Sequence, residues 1–208
     1  MTPTVQGIDL SHWSEVTSFA AIKAANYQFV YLKCTEGEAV VDSKYQGFSQ
    51  SCIQEGLLQG AYHFFRPELD PIVQAKHFLA HINPKVQNPL PYVLDWEVVD
   101  GTTVAADVAG AQKFLDYVQS QTGKVPMVYA GHYSLDALDL PESFQKYPLW
   151  LADYAFVPTL PKIWSKWTFW QHTSKGTVPG VSGDVDVNYF NGTLQDLYAL
   201  IGLTVSLS

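Results

Sequence analysis

The sequence predicts an α/β fold, a modified TIM-like β/α barrel with eight strands and about five helices. Strand-like runs rich in β-formers alternate with amphipathic helical stretches through the first two thirds of the chain, which favours a parallel sheet with helices outside it. The strand-like segments number eight, enough to close a barrel. The rival for such a pattern is an open doubly wound sheet. It lacks support, because no Gly-rich phosphate turn follows the first strand and Gly7-Ile8-Asp9 is not such a motif.

Bulk properties narrow the class. The 208 residues suit one domain, read as a single unit over 1–208, and 47% hydrophobic with 15% charged residues suits a globular core. A net charge of −8 with only 12 basic residues and no Lys/Arg cluster argues against nucleic acid as a partner. No apolar run approaches the roughly 20 residues needed to span a bilayer, so membrane insertion is not expected. Met1-Thr2-Pro3-Thr4-Val5-Gln6 has neither the basic segment nor the apolar core of a signal peptide. Cys34 and Cys52 read as buried thiols, and neither has the partner spacing of a metal site.

The first strand is Val5 to Leu10. Ser14 is the expected N-cap of a helix carrying Val16, Phe19, Ala20 and Ile22 before Asn26. Gln28 to Cys34 is the second strand, followed by a polar loop and a helix around Lys44 to Glu55 that stops at Gly56. Leu57 to Phe65 is the third strand. Asp70-Pro71 starts a helix whose apolar face is Ile72, Ala75, Leu79 and Ile82. Val93 to Glu97 is the fourth strand. The clearest helix then carries Val104, Val108, Ala111, Leu115 and Val118, and Gly123 closes it. Lys124 to Ala130 is the fifth strand. Pro148 to Tyr154, Trp167 to His172 and Val185 to Tyr189 complete the eight, with loops between them and at most a short helix near Pro141 to Gln145. A closing helix spans about 193–202, before a short C-terminal tail.

The fourth strand carries the chemistry. Side chains alternate faces along a strand, so Asp95 and Glu97 point the same way across Trp96. Two carboxylates facing one cavity resist simultaneous ionisation, and one keeps its proton near neutral pH. A proton donor beside a second carboxylate is what cleavage of a glycosidic bond requires. Asp9 ends the first strand and Asp186 flanks the start of the last. Closure of the barrel sets those two strands side by side, with the last antiparallel or irregular. Asp184, after Gly183, reads as a turn residue. Aromatics gather near the same strand ends: Trp13, Tyr62, Phe64, Tyr129, Trp150, Tyr154 and Trp170. Sugar rings stack on such side chains, although Phe64 and Trp150 also read as core. His63 and His172 read as buried, hydrogen-bonded histidines. There is no Gly-x-Ser-x-Gly elbow and no His-x-His or His-Glu-x-x-His spacing, so neither serine nor metal chemistry is indicated and no cofactor is expected.

Seven segments together resemble glycoside hydrolase family 25, the Chalaropsis-type muramidases. They are Gly7-Ile8-Asp9-Leu10-Ser11, Leu32-Lys33-Cys34-Thr35-Glu36-Gly37, Gly60-Ala61-Tyr62-His63-Phe64, Leu94-Asp95-Trp96-Glu97, Leu149-Trp150-Leu151-Ala152-Asp153-Tyr154, Trp170-Gln171-His172-Thr173-Ser174 and Asp186-Val187-Asn188-Tyr189-Phe190-Asn191-Gly192. They occur in the family's order and span almost the whole chain. The resemblance implies a barrel of eight strands and five helices. It also implies cleavage of the β-1,4 bond between N-acetylmuramic acid and N-acetylglucosamine in bacterial peptidoglycan. Glu97 matches the general acid, Asp95 the carboxylate beside it, and Asp9 and Asp186 the further acids of the cleft. Tyr62, Trp96, Tyr129, Trp150, Asp153, Tyr154, Trp170 and Gln171 are the expected substrate-binding residues. Two departures stand out: Trp96 occupies a place where smaller apolar residues are frequent, and Ala25-Asn26-Tyr27 replaces an Ala-Gly turn.

Two further readings of the same residues remain: a chitinase-like or N-acetylglucosaminidase hydrolase, and a non-catalytic glycan-binding barrel. The expected partner is peptidoglycan, met outside the cell by a monomer. The enzyme reaches it by another secretion route, by release at lysis as a phage endolysin, or after processing.

Overall fold

The computed structural model describes residues 5–99 and 103–204. In chain order the elements are β1 (Val5–Leu10), β2 (Glu15–Val16), α1 (Phe19–Ala24), β3 (Tyr27–Glu36), β4 (Val40–Val41), α2 (Tyr45–Glu55), β5 (Leu58–Phe64), α3 (Pro71–His81) and β6 (Val93–Asp95). They continue with α4 (Val104–Thr122), β7 (Met127–Gly131), α5 (His132–Ala137), a 3-10 turn at Glu142–Lys146, β8 (Leu149–Ala152), β9 (Phe169–Gly176), β10 (Val181–Ser182), β11 (Val185–Phe190) and α6 (Leu194–Leu200).

Eight strands close a barrel in the order β1-β3-β5-β6-β7-β8-β9-β11 and back to β1. The pairings from β1 round to β9 are parallel, whereas β11 runs antiparallel to both β9 and β1. These are the eight strands legible in the sequence. The short β4 folds back on β3, and β2 with β10 forms a small separate ladder.

The period-2 alternation of strand side chains divides the apolar core into two. Val5, Phe29, Tyr31, Val93, Met127, Trp150, Phe169 and Phe190 fill the lumen. Ile8, Leu10, Val30, Leu32, Leu94, Val128 and Leu149 face outward, where Ile22, Ala75, Ala111 and Leu115 of the helices cover them. Leu197 of α6 joins the luminal set, so this helix plugs the end of the barrel away from the strand C-termini of the parallel set. Gly7 and Gly60 make room for two of the luminal rings. A Cβ on Gly7 would collide with Phe29, and one on Gly60 with Tyr31.

Helix boundaries follow their caps. Asp70 Oδ1 accepts from the N–H groups of Ile72 (2.8 Å) and Val73 (3.1 Å), as the Asp-Pro signal predicts. Gly56 and Gly123 end α2 and α4 in the left-handed conformation, at φ 63° and 68°. Asn26 occupies that region too, at φ 67°, which explains how asparagine serves in an Ala-Gly turn.

Several boundaries differ from the sequence reading. The cap of α1 is Ser18, whose Oγ accepts from Ala21 N at 3.1 Å, while Ser14 closes a tight turn on Ser11 and Val16 pairs in β2. Val104 is exposed at the start of α4, and Ile82 lies just past the end of α3. α5 has no helical periodicity in the sequence, since His132-Tyr133-Ser134-Leu135-Asp136-Ala137 bury only Leu135. Six α-helices therefore stand among the described residues, against about five expected. Cys34 and Cys52 are free, buried thiols, and burial pushes Cys52 up to about 12.

Candidate active site

The C-terminal ends of the parallel strands carry the acids, as expected for a β/α barrel. β6 is short and ends at Asp95, but Phe65 N donates to Asp95 O (2.8 Å) and Trp96 N to Tyr129 O (2.9 Å), so its tip is held between β5 and β7. On β1 and β11, Asp9 and Asp186 are register partners across the antiparallel ladder. Their side chains consequently project from the same face of the sheet.

A cavity of about 190 Å³ opens at this mouth, bounded by Asp9, Asp95, Glu97 and Asp186 with Tyr62, Tyr129, Trp150, Tyr154 and Gln171. Nine of the twelve residues assigned to the site from sequence are brought together there. The other three are not. Trp96 is 1% exposed, and it packs against Phe65 and Phe144 in the mantle between barrel and helices. Strand alternation explains this correction: the residue between two luminal acids faces outward. Trp170 is turned away from the lumen in the same manner. It is 7% exposed, contacts Trp167 and Tyr189, and donates its indole N–H to Asp153 O at 2.6 Å. The Asp153 carboxylate is occupied by Ala155 N (3.2 Å) and Thr159 N (2.9 Å), so it shapes the loop after β8, and it borders a neighbouring groove.

A hydrogen-bond relay fixes Asp9. Tyr129 and Tyr154 each donate a phenolic O–H to Gln171 Oε1 at 3.0 Å. Gln171 Nε2 donates to Asp9 Oδ2 at 2.9 Å, and Asn188 Nδ2 donates to the same oxygen at 2.8 Å. Trp150 Nε1 orients Asn188 by donating to its Oδ1 at 2.7 Å. Asn188 was not singled out from the sequence, although its spacing of two from Asp186 places both on one strand face.

The electrostatics follow from crowding four acids at one mouth. Burial pushes Asp9 well above the usual carboxylate range and the facing Asp186 adds to this, while the Asn188 and Gln171 amides oppose it. Asp95 is likewise raised well above that range, by burial first and then by Glu97, with Lys33 opposing. Burial and the Glu97 charge bring Asp186 up to about 6, against a hydrogen bond with Asp9. Asp95 and Glu97 border the same cavity, two residues apart at the end of the strand. The site therefore contains two carboxyl pairs, Asp9 with Asp186 and Asp95 with Glu97. The partners in the second pair differ in access, since Asp95 is buried and Glu97 is exposed at the rim. Asp95 Oδ1 has no hydrogen-bond partner among the described residues.

The remaining sequence candidates have structural positions. His63 is fully buried between Thr35 Oγ1 (2.8 Å) and Gln74 Oε1 (3.1 Å). His172 stacks on Tyr189 outside the barrel with its Nε2 unpartnered among the described residues, so it lacks the bond expected of it there. Phe64 lies between Lys33 and Arg66, and Asp184 is in an exposed turn. No three His, Cys, Asp or Glu side chains among the described residues are grouped to hold a metal ion.

Known proteins share this arrangement of the chain. The family model described as Glycosyl hydrolases family 25 matches residues 8–181, ending just before Asp186. Lysozyme M1 of Streptomyces globisporus is 32% identical over 98% of this chain and 73% of its own length. The N,O-diacetylmuramidase of Chalaropsis is 30% identical over 95% of this chain and 99% of its own. The crystal structure of the bacterial lysozyme from Streptomyces coelicolor superposes with a TM-score of 0.91 at 32% identity, covering 97% of this chain and 98% of that one. With the family model matching most of its length and relatives of this similarity, the chain belongs to glycosyl hydrolase family 25.

Proposed function

We propose that the protein is an N-acetylmuramidase, a lysozyme that hydrolyses the β-1,4 bond between N-acetylmuramic acid and N-acetylglucosamine in bacterial peptidoglycan. The observation that carries this reading is the Asp95–Glu97 pair: two carboxyls bordering one cavity at a strand end, one buried and one exposed at the rim. Their relatives' names supply the substrate, since the Streptomyces globisporus protein is called a lysozyme and the Chalaropsis protein an N,O-diacetylmuramidase.

In this reading Asp95 and Glu97 share a proton, because burial and the neighbouring Glu97 disfavour a charge on Asp95. Glu97, as the exposed member, passes that proton to the glycosidic oxygen as the bond to the anomeric carbon breaks. The muramic acid sugar lies over the cavity. Its acetamido N–H donates to the Asp95 carboxyl that borders the cavity, which turns the acetamido oxygen toward the anomeric carbon. That oxygen attacks from the face opposite the leaving group, as in substrate-assisted glycosidases. Water then adds at the anomeric carbon, its proton returns to the carboxyl pair, and the acetamide is restored. Asp9, held by Gln171 and Asn188, stands with Asp186 beside the developing positive charge.

The sequence of 1–208 is read as a single catalytic domain working as a monomer on the wall outside the cytoplasm. The test is to digest purified Gram-positive walls and identify the new reducing-end sugar by mass spectrometry. Muramic acid at that end supports the proposal, N-acetylglucosamine indicates a glucosaminidase, and no release indicates a glycan binder.

A further inference from the structure

Beside the acidic cavity runs a second depression of about 610 Å³, some three times larger, between the start of α5 and the loop after β8. His132, Tyr133, Asp153 and Tyr154 line it. It meets the cavity at Glu97, Tyr129 and Tyr154, which border both, whereas Asp9, Asp95 and Asp186 border only the cavity.

That division gives the site a direction. A general acid protonates the bridging oxygen, so it must stand between the sugar that keeps the anomeric carbon and the sugar that leaves. Groups that stabilise charge at the anomeric carbon lie beside the first of these sugars. The three aspartates border only the cavity, which therefore belongs to the retained sugar. The groove starts at the acid and extends away from those groups, on the side toward which the leaving group departs.

The groove is also furnished for a sugar chain. Tyr133 is 86% exposed and Tyr154 is 58% exposed, leaving ring faces open to stack on pyranose C–H surfaces. His132 and Ser134 add polar side chains along its wall. Asp153 holds the loop wall through Ala155 N and Thr159 N.

Building on the muramidase reading, we propose that this groove binds the leaving-group side of the glycan. It holds the N-acetylglucosamine next to the scissile bond and the muramic acid that follows toward the reducing end, with Tyr133 as the stacking platform for that second sugar. The chain direction on the surface is thus fixed, running from the barrel axis outward over α5.

Two trisaccharides that contain one scissile bond each test this. Muramic acid–glucosamine–muramic acid places two sugars on the leaving side, and glucosamine–muramic acid–glucosamine places two on the retained side, all N-acetylated. The wild-type enzyme should cut the first faster. Tyr133→Ala should lower its kcat/KM about five- to tenfold, mainly through KM, and leave the second within about twofold. Tyr133→Phe, which keeps the ring, should restore the rate. The inference falls if the wild type cuts the first no faster than the second, or if Tyr133→Ala slows both equally, only the second, or neither. Failure of the muramidase reading would look different: the wild type would release no muramic acid ends from wall polymer at all.

Discussion

Asp9 and Asp186 are directly opposed across the antiparallel β1–β11 ladder, so two carboxyls stand side by side at the mouth of the barrel. Like charges in that position oppose each other, and burial adds to the cost of ionising both. A fold optimised for stability alone would not keep this pair. The carbohydrate chemistry proposed for the mouth accounts for it.

Stability should therefore rise when one member is neutralised. Asp186 has an ordinary value of 3.8 and is raised to about 6 in the fold. The folded state holds the proton that the unfolded state has lost between those values, so stability falls as pH rises from about 4 to about 6. Asp186→Asn should raise Tm by about 2–4 °C at pH 7, corresponding to on the order of 1 kcal/mol after allowance for its partial exposure. The gain should vanish below pH 4, where the native aspartate is protonated in both states. Thermal melts across that range check it, with activity falling as stability rises.

The relay to Asp9 should be sensitive at its far end. Trp150→Phe keeps an aromatic ring, smaller than the indole, and removes the N–H that holds Asn188 Oδ1 at 2.7 Å. A buried carbonyl left without its donor costs about 1–3 kcal/mol. Asn188 is then free to turn, and Asp9 loses one of its two amide donors. The expected result is a lower kcat with a smaller change in KM, together with reduced stability by denaturant unfolding.

Gly60→Ala tests the packing of the lumen. The added methyl meets the ring of Tyr31, which is fully buried and touches Phe29, Phe169 and Trp150. Overpacking of this kind should destabilise by about 1–3 kcal/mol, read from denaturant titration. Gly56→Ala loses only backbone freedom at φ 63°, with nothing near the new methyl, so it separates conformational strain from collision.

The stereochemical course follows from the role given to Asp95. Attack by the acetamido oxygen and then by water inverts the anomeric carbon twice, so the first product formed keeps the β configuration. Proton NMR at early times, before mutarotation, should show the β anomer of the new muramic acid end. An initial α anomer would instead require direct attack by water.

The barrel was legible because its strands are separated by strong punctuation. Asp70-Pro71, Gly56 and Gly123 mark helix ends by backbone chemistry that tertiary contacts do not override. The start of α1 is ambiguous in the sequence because Ser14 and Ser18 are equally good caps locally, and only the β2–β10 pairing selects the second. The short α5 has a single buried side chain and hence no periodicity to detect. At the site, the same alternation that set Asp95 beside Glu97 also excludes Trp96 from the cavity, a consequence already contained in the sequence. Asn188 was equally within reach from Asp186. The pairing of buried Asp95 with exposed Glu97 was not, because accessibility depends on how far each loop rises above the barrel.

The central claim is that Glu97 delivers the proton of the Asp95–Glu97 pair to the bond after muramic acid. Its most direct test is the rate at which borohydride-reducible muramic acid ends appear on purified walls, for wild type and Glu97→Gln side by side. Glutamine has no proton to transfer, so the rate should fall by about 10²–10⁴-fold. The melting temperature should not fall, because Glu97 is exposed at the rim and its loss removes a like charge beside Asp95 and Asp186. A Glu97→Gln enzyme that forms those ends at the wild-type rate would contradict the account.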